Sequence, residues 1–151
     1  MAPFIVLCTT FLMFRGIGWL GVPMLDHWHP ALQLAVALMF LMTASAHWGK
    51  RRTDLLNMVP PGIKNKERAV TWTGILEIAG AAGLLIPGID WIASIGLLLM
   101  LILMFPANIH AARKKLTINE KHVLPVFPRL LLQLIFIIAV FLASPMMQQI
   151  Q

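Results

Sequence analysis

Apolar residues in this chain come in long, nearly unbroken runs, without the period-two alternation of strands or the polar stripe of a soluble amphipathic helix. Five such runs cover residues 4–22, 30–48, 69–87, 91–111 and 127–143. A helix needs about 20 mostly apolar residues to cross roughly 30 Å of hydrocarbon, and backbone inside lipid must satisfy its own hydrogen bonds. The pattern therefore predicts an all-α, polytopic membrane helix bundle of five spans, forming a single membrane domain over 1–151. Arg15 interrupts the first run and Glu77 the third. A cleaved signal peptide would show basic residues ahead of an uninterrupted apolar segment; nothing positive precedes Phe4, so the first run is expected to be a retained span.

Composition supports this picture and charge orients it. The chain is 59% hydrophobic and 12% charged, against roughly 25% charged for soluble domains. Of its 12 Lys and Arg residues, all but Arg15 fall in or beside two inter-span segments. The first carries Lys50, Arg51, Arg52, Lys64, Lys66 and Arg68 against Asp54 and Glu67; the second carries Arg113, Lys114, Lys115, Lys121 and Arg129 against Glu120. Basic inter-span loops stay cytoplasmic, so both segments are expected inside, with the N-terminus cytoplasmic and the C-terminus outside. The +6 net charge then faces the lipid bilayer's headgroups, and nucleic acid is not an expected partner. Trp19, Trp28, Trp48, Trp72 and Trp91 lie near predicted span ends, as interfacial anchors do. The single Cys8 has no second thiol for a CxxC pair, which argues against thiol–disulfide chemistry in this chain.

Candidate chemistry comes from the few polar groups at membrane depth, where a charge costs at least ~2.5–3.5 kcal/mol and faces the bundle interior. Glu77 lies about 12 Å into the third span, on a face with Thr73, Gly74, Gly80 and Ala81, whose small size permits close helix approach. Arg15 reaches about 16 Å into the first span, so an Arg15–Glu77 ion pair is expected to be in reach. Such a pair either fixes helix register or provides a titrating carboxylate for the polar head of a lipophilic ligand. His47 ends the second span; Asn108 and His110 follow Pro106, which leaves the carbonyl of Ile102 without its helical donor. No spacing supports a metal or a haem, and neither is expected. His27 and His29 are expected to be solvated outer-loop residues, the 10 Met residues are flexible core filling, and GIGWLG at Gly16 lacks the strand a dinucleotide fingerprint requires.

The stretch AHWGKRRTDLLNMVPPGIKNKERAVTWTGILEIAGAAGLLIPGID, followed later by MFPANIHAA, resembles the DoxX-like family of small bacterial membrane proteins. The likeness lies in the histidine ending a helix, the MVPP loop, the helix around Glu77 and the FPANIxxA end of the next, and covers about 30–143. It implies a four-helix DoxX-like core, with the first span as an N-terminal addition for which family analogy offers Arg15 no role, in the bacterial inner (plasma) membrane. It further implies a subunit or accessory of a quinone-linked or oxidative-stress oxidoreductase system that has no redox centre of its own. On that reading Glu77 and His47 are the catalytic proton-exchanging groups. Asn108 binds the ligand and quinone is the cofactor; from their own positions Arg15, Thr73 and His110 are further candidate ligand-binding residues, and a cytoplasmic redox partner is expected to dock on the basic segments 50–68 and 113–129. Self-association is left open. The alternative is a non-catalytic scaffold, or a carrier of a small lipophilic molecule, in which the same residues form a buried packing network.

Overall fold

The computed structural model describes residues 2–114, 117–118, 121–122 and 125–150; Lys115 and Glu120, counted above in the second basic segment, lie outside them. Six α-helices follow in order: α1 (Ala2–Trp19), α2 (Trp28–Ser45), α3 (Arg52–Met58), α4 (Lys66–Leu84), α5 (Asp90–Arg113) and α6 (Val126–Leu142). Short 3-10 turns occupy Pro23–Leu25 and Pro145–Ile150. Thr117 and Ile118 pair antiparallel with His122 and Lys121 in a two-residue ladder. Each of the five apolar runs becomes a helix, with ends displaced by a few residues.

The unexpected helix is α3, in the first basic segment. At seven residues it is too short to show a period, and it ends where Val59 takes the extended backbone (φ −67°, ψ 126°) imposed by the following Pro60. Helix α4 begins three residues earlier than the apolar run, because Lys66, Glu67 and Arg68 form its first turn and Glu67 complements the N-terminal dipole. By length and composition α1, α2 and α5 can each cross a membrane. Helix α4 is as long but carries charges, and α6, at 17 residues, spans about 26 Å.

Packing centres on α2, which touches α1, α4 and α6, while α4 packs on α5 and α5 on α6. Ala31, Ala35, Ala37 and Ala44 of α2 are buried and let neighbours approach closely; Val36, Met39 and Phe40 fill the space between them. Across the bundle Leu7, Ala81, Leu84, Leu97, Met100 and Val140 complete this core. Gly80 lies against Leu97, and a Cβ on Gly83 would come within 2.9 Å of that of Ala93, so α4 and α5 meet along small residues.

The outside is apolar too. Leu12, Leu103 and Phe127 are 68, 78 and 75% exposed, a coat suited to hydrocarbon surroundings. Polar side chains in α1 turn back on their own helix, Thr9 donating to Ile5 O (2.8 Å) and Thr10 to Val6 O (2.6 Å). The long helices alternate in direction. The end of α2, the start of α4, the end of α5 and the start of α6 therefore share one end of the bundle with α3. The described Lys and Arg residues other than Arg15 lie at that basic end. At the opposite end the chain turns on Gly21 (φ +108°) and Gly88 (φ +92°), backbone that a side chain would strain.

Candidate functional site

At the basic end α2 is followed by His47, whose ring turns back beneath α4. Its Nδ1 lies 2.6 Å from Val70 O, and its Nε2 lies 3.4 Å from Glu77 Oε1. The hydroxyl of Thr43, one turn above His47 on α2, donates to the other carboxylate oxygen, Oε2, at 2.9 Å. Thr73 stands 3.4 Å from His47 Nδ1 while donating to the carbonyls of Ala69 and Val70. His47 and Glu77 are each only 3% exposed.

Two local features hold the ring there. A Cβ on Gly74 would sit 2.7 Å from His47 Cβ and 2.8 Å from Cγ, so glycine makes the space the imidazole uses. Arg52, at the start of α3, donates to His47 O (2.7 Å) and to Thr71 Oγ1 (3.0 Å), tying the chain after α2 to the first turns of α4. Arg52 thus has a structural role beyond the topology marking its charge suggested.

The contacts of the ring constrain how many protons this group holds. A carbonyl oxygen only accepts, so the contact with Val70 requires a hydrogen on Nδ1. In a neutral ring Nε2 would then present a lone pair to a carboxylate oxygen, and two acceptors repel. One further proton resolves the contact, either on Nε2, giving imidazolium and carboxylate, or on Glu77, giving imidazole and carboxylic acid. Both forms are neutral as a pair, which removes most of the cost of a lone buried charge. The arrangement can hold one proton between two helices. Among the described residues no third His, Cys, Asp or Glu joins these two to make a metal-binding group.

Asn108 belongs to a second network, between α5 and α6. Its Nδ2 donates to Gln133 Oε1 (3.1 Å), its Oδ1 accepts from Arg129 Nη2 (2.9 Å), and Gln133 Nε2 donates to Leu101 O (2.5 Å). Pro106 interrupts the α5 ladder one turn beyond, so Gln133 meets a carbonyl next to the one that proline leaves without a donor. Beside this network a hollow of about 190 Å³ is lined by Ile102, Phe105, Leu130, Gln133, Leu134 and Ile137. Gln133 and Arg129 were not among the sequence candidates, although a glutamine within the run 127–143 is itself a signal of an interior polar contact.

The remaining candidates separate from these groups. Arg15 does not pair with Glu77: its Nη1 donates to the backbone carbonyls of Leu25 and Asp26, and its guanidinium lies 5.5 Å from the Trp19 ring centroid. Equal depth was a poor guide, because α1 packs on α2 while Glu77 faces His47 and Thr43, and a long side chain reaches the helix end rather than crossing the bundle. His110 is half-buried near the end of α5, and no hydrogen bond joins it to His47 or Glu77. His29 is not a solvated loop residue. It is 3% exposed within the first turn of α2, with Nε2 2.9 Å from Ser144 O, linking α2 to the end of α6.

No curated protein and no solved structure matches this chain. A family model does match, described as a domain of unknown function, DUF8561, over residues 36–144. The match opens inside α2 and closes just past α6. It takes in His47, Gly74, Glu77, Asn108, Arg129 and Gln133 and leaves α1 with Arg15 outside. By that match the chain belongs to the DUF8561 family.

Proposed function

We propose that this protein is a five-span bacterial inner-membrane protein with the basic end of its bundle cytoplasmic. On this reading it works as a subunit or accessory of a quinone-linked or oxidative-stress oxidoreductase system, as the DoxX-like resemblance implies. The observation that carries the proposal is the buried contact between His47 Nε2 and Glu77 Oε1, 3.4 Å apart, which can hold a proton. Reducing a quinone to a quinol consumes two electrons and two protons. The electrons are assigned to a redox partner docking on the basic end; the His47–Glu77 pair supplies one proton where hydrocarbon would otherwise exclude it, and water at the basic end supplies the second and then reprotonates the pair.

A quinone supplies two carbonyl acceptors and an apolar body. Polar atoms for the head exist at His47 and Glu77 but are engaged with Val70 and Thr43, while apolar room lies beside Gln133. That engagement favours a second reading, in which the pair is a neutral lock between α2 and α4 and the bundle is a scaffold or a carrier of a small lipophilic molecule. Purification in a mild detergent, with absorbance read before and after borohydride reduction, separates the two. Co-purified quinone, and a thermal shift on adding quinone that Glu77→Gln abolishes, are expected of the first reading. Absence of both would leave the second.

A further inference from the structure

At the basic end of the α5–α6 seam, Arg129 stands in the first turn of α6 with one nitrogen, Nη2, held by Asn108 Oδ1 at 2.9 Å. Its Nη1 is buried and has no hydrogen-bond partner, and among the described residues no carboxylate forms an ion pair with the guanidinium. An unpaired cationic donor at the edge of an apolar bundle is costly, and an anion is what would relieve it. The surroundings narrow the anion's class. Around Arg129 lie Phe105, Ile109, Val126 and Leu130, and Phe105 and Leu130 also wall the 190 Å³ hollow that continues along the seam. That hollow faces outwards, with Ile102 55%, Leu134 49% and Ile137 partly exposed, and among the described residues Gln133 is its only polar lining side chain. From Arg129 to Ile137 the seam runs about 12 Å along α6, enough for a length of acyl chain.

We propose that the α5–α6 seam binds an anionic phospholipid, with its phosphate on Arg129 and one acyl chain along Leu130, Leu134 and Ile137. The proposal rests on the membrane reading above but not on the quinone chemistry. The headgroup reaches Nη1 by displacing Phe105 or Leu130, the side chains common to the partly buried guanidinium and the open hollow. A soluble anion would have no use for the apolar half of the site, and a zwitterionic lipid would bring a cation that Arg129 repels.

The test begins with protein recovered from carbonate-washed membranes; failure to remain in that fraction would refute the membrane reading itself. Native mass spectrometry in nonionic detergent then compares retention of phosphatidylglycerol and phosphatidylcholine, with inorganic phosphate tested separately by thermal shift. Phosphatidylglycerol is expected to bind about tenfold tighter than phosphatidylcholine, whose choline cation Arg129 repels. Arg129→Gln should bring the two to parity, and Leu134→Trp, on the exposed wall, should weaken both lipids while leaving phosphate without effect. Should Arg129→Gln not fold, Arg129→Lys and Leu134→Trp carry the comparison. Parity in the wild type, an undiminished preference in Arg129→Gln, stabilisation by inorganic phosphate equal to that by phosphatidylglycerol, or a retained quinone in place of phospholipid would each overturn the proposal.

Discussion

Replacing Glu77 by alanine and by glutamine tests the buried pair from two directions. Alanine removes the group facing His47 Nε2 at 3.4 Å and the acceptor facing the Thr43 hydroxyl at 2.9 Å, both at a position 3% exposed. In a soluble core, breaking such a pair from one side costs about 3–5 kcal/mol. On the proposed membrane reading the unfolded reference also finds partners, and interhelical polar contacts in lipid average about 0.6 kcal/mol, so about 2 kcal/mol is the working figure. Glutamine keeps an acceptor for Thr43 and offers an amide hydrogen to Nε2 of a neutral His47, so its cost should stay near about 1 kcal/mol or below. A double-mutant cycle of Glu77→Ala with His47→Ala should then return a coupling of about 1 kcal/mol or more, since the two side chains share one proton. Equilibrium unfolding in mixed micelles, followed by the fluorescence of Trp48 and Trp72, gives these differences. Equal destabilisation by alanine and glutamine, or a coupling below about 0.5 kcal/mol, would refute the reasoning.

Gly74→Ala should destabilise by about 1–3 kcal/mol, because the new Cβ would meet His47 Cβ at 2.7 Å and Trp48 at 2.8 Å; an unchanged unfolding midpoint and unchanged Trp48 emission would count against the described packing. Arg15→Met should cost about 1–2 kcal/mol through the lost bonds to Leu25 and Asp26, and should add to Glu77→Ala within about 0.5 kcal/mol. Rescue of Glu77→Ala by Arg15→Met would restore the ion pair that the fold replaces. Gln133→Leu should cost about 1–3 kcal/mol by leaving Leu101 O and Asn108 Nδ2 without their partner, and a stability equal to wild type in the same micelle assay would mean that this network is not formed.

Most of the fold was legible because long apolar runs leave the backbone few options. Once the runs at 4–22, 30–48, 69–87, 91–111 and 127–143 are apolar and about 20 residues long, helices follow. Their ends were less legible, since the charged turn Lys66, Glu67 and Arg68 continues α4 beyond its apolar run, and α3 is shorter than any period could show. Glu77 and His47 stood out individually as expensive residues at depth. Their pairing depends on Gly74 opening space for the ring and on α2 lying beside α4, neither of which periodicity supplies. Arg15 was misplaced because depth along a helix says nothing about which neighbour it faces. Arg129 was read only as a charge for topology, and His29 as a loop residue, because burial at helix ends is decided by how the bundle closes: His29 is covered where α2 meets the end of α6.

The claim on which the functional reading turns is that His47 carries a hydrogen on Nδ1 and shares a further proton with Glu77. Nitrogen-15 NMR of histidine-labelled protein in lipid bilayers reads both ring nitrogens directly, with His47→Gln assigning the resonance. The expected result is a protonated Nδ1 in wild type, with Nε2 either protonated or hydrogen-bonded to a Glu77 hydroxyl, and a neutral ring that keeps its Nδ1 hydrogen in Glu77→Ala. A wild-type ring with bare Nδ1 and its only hydrogen on Nε2 would contradict the contact with Val70 and, with it, the stored proton.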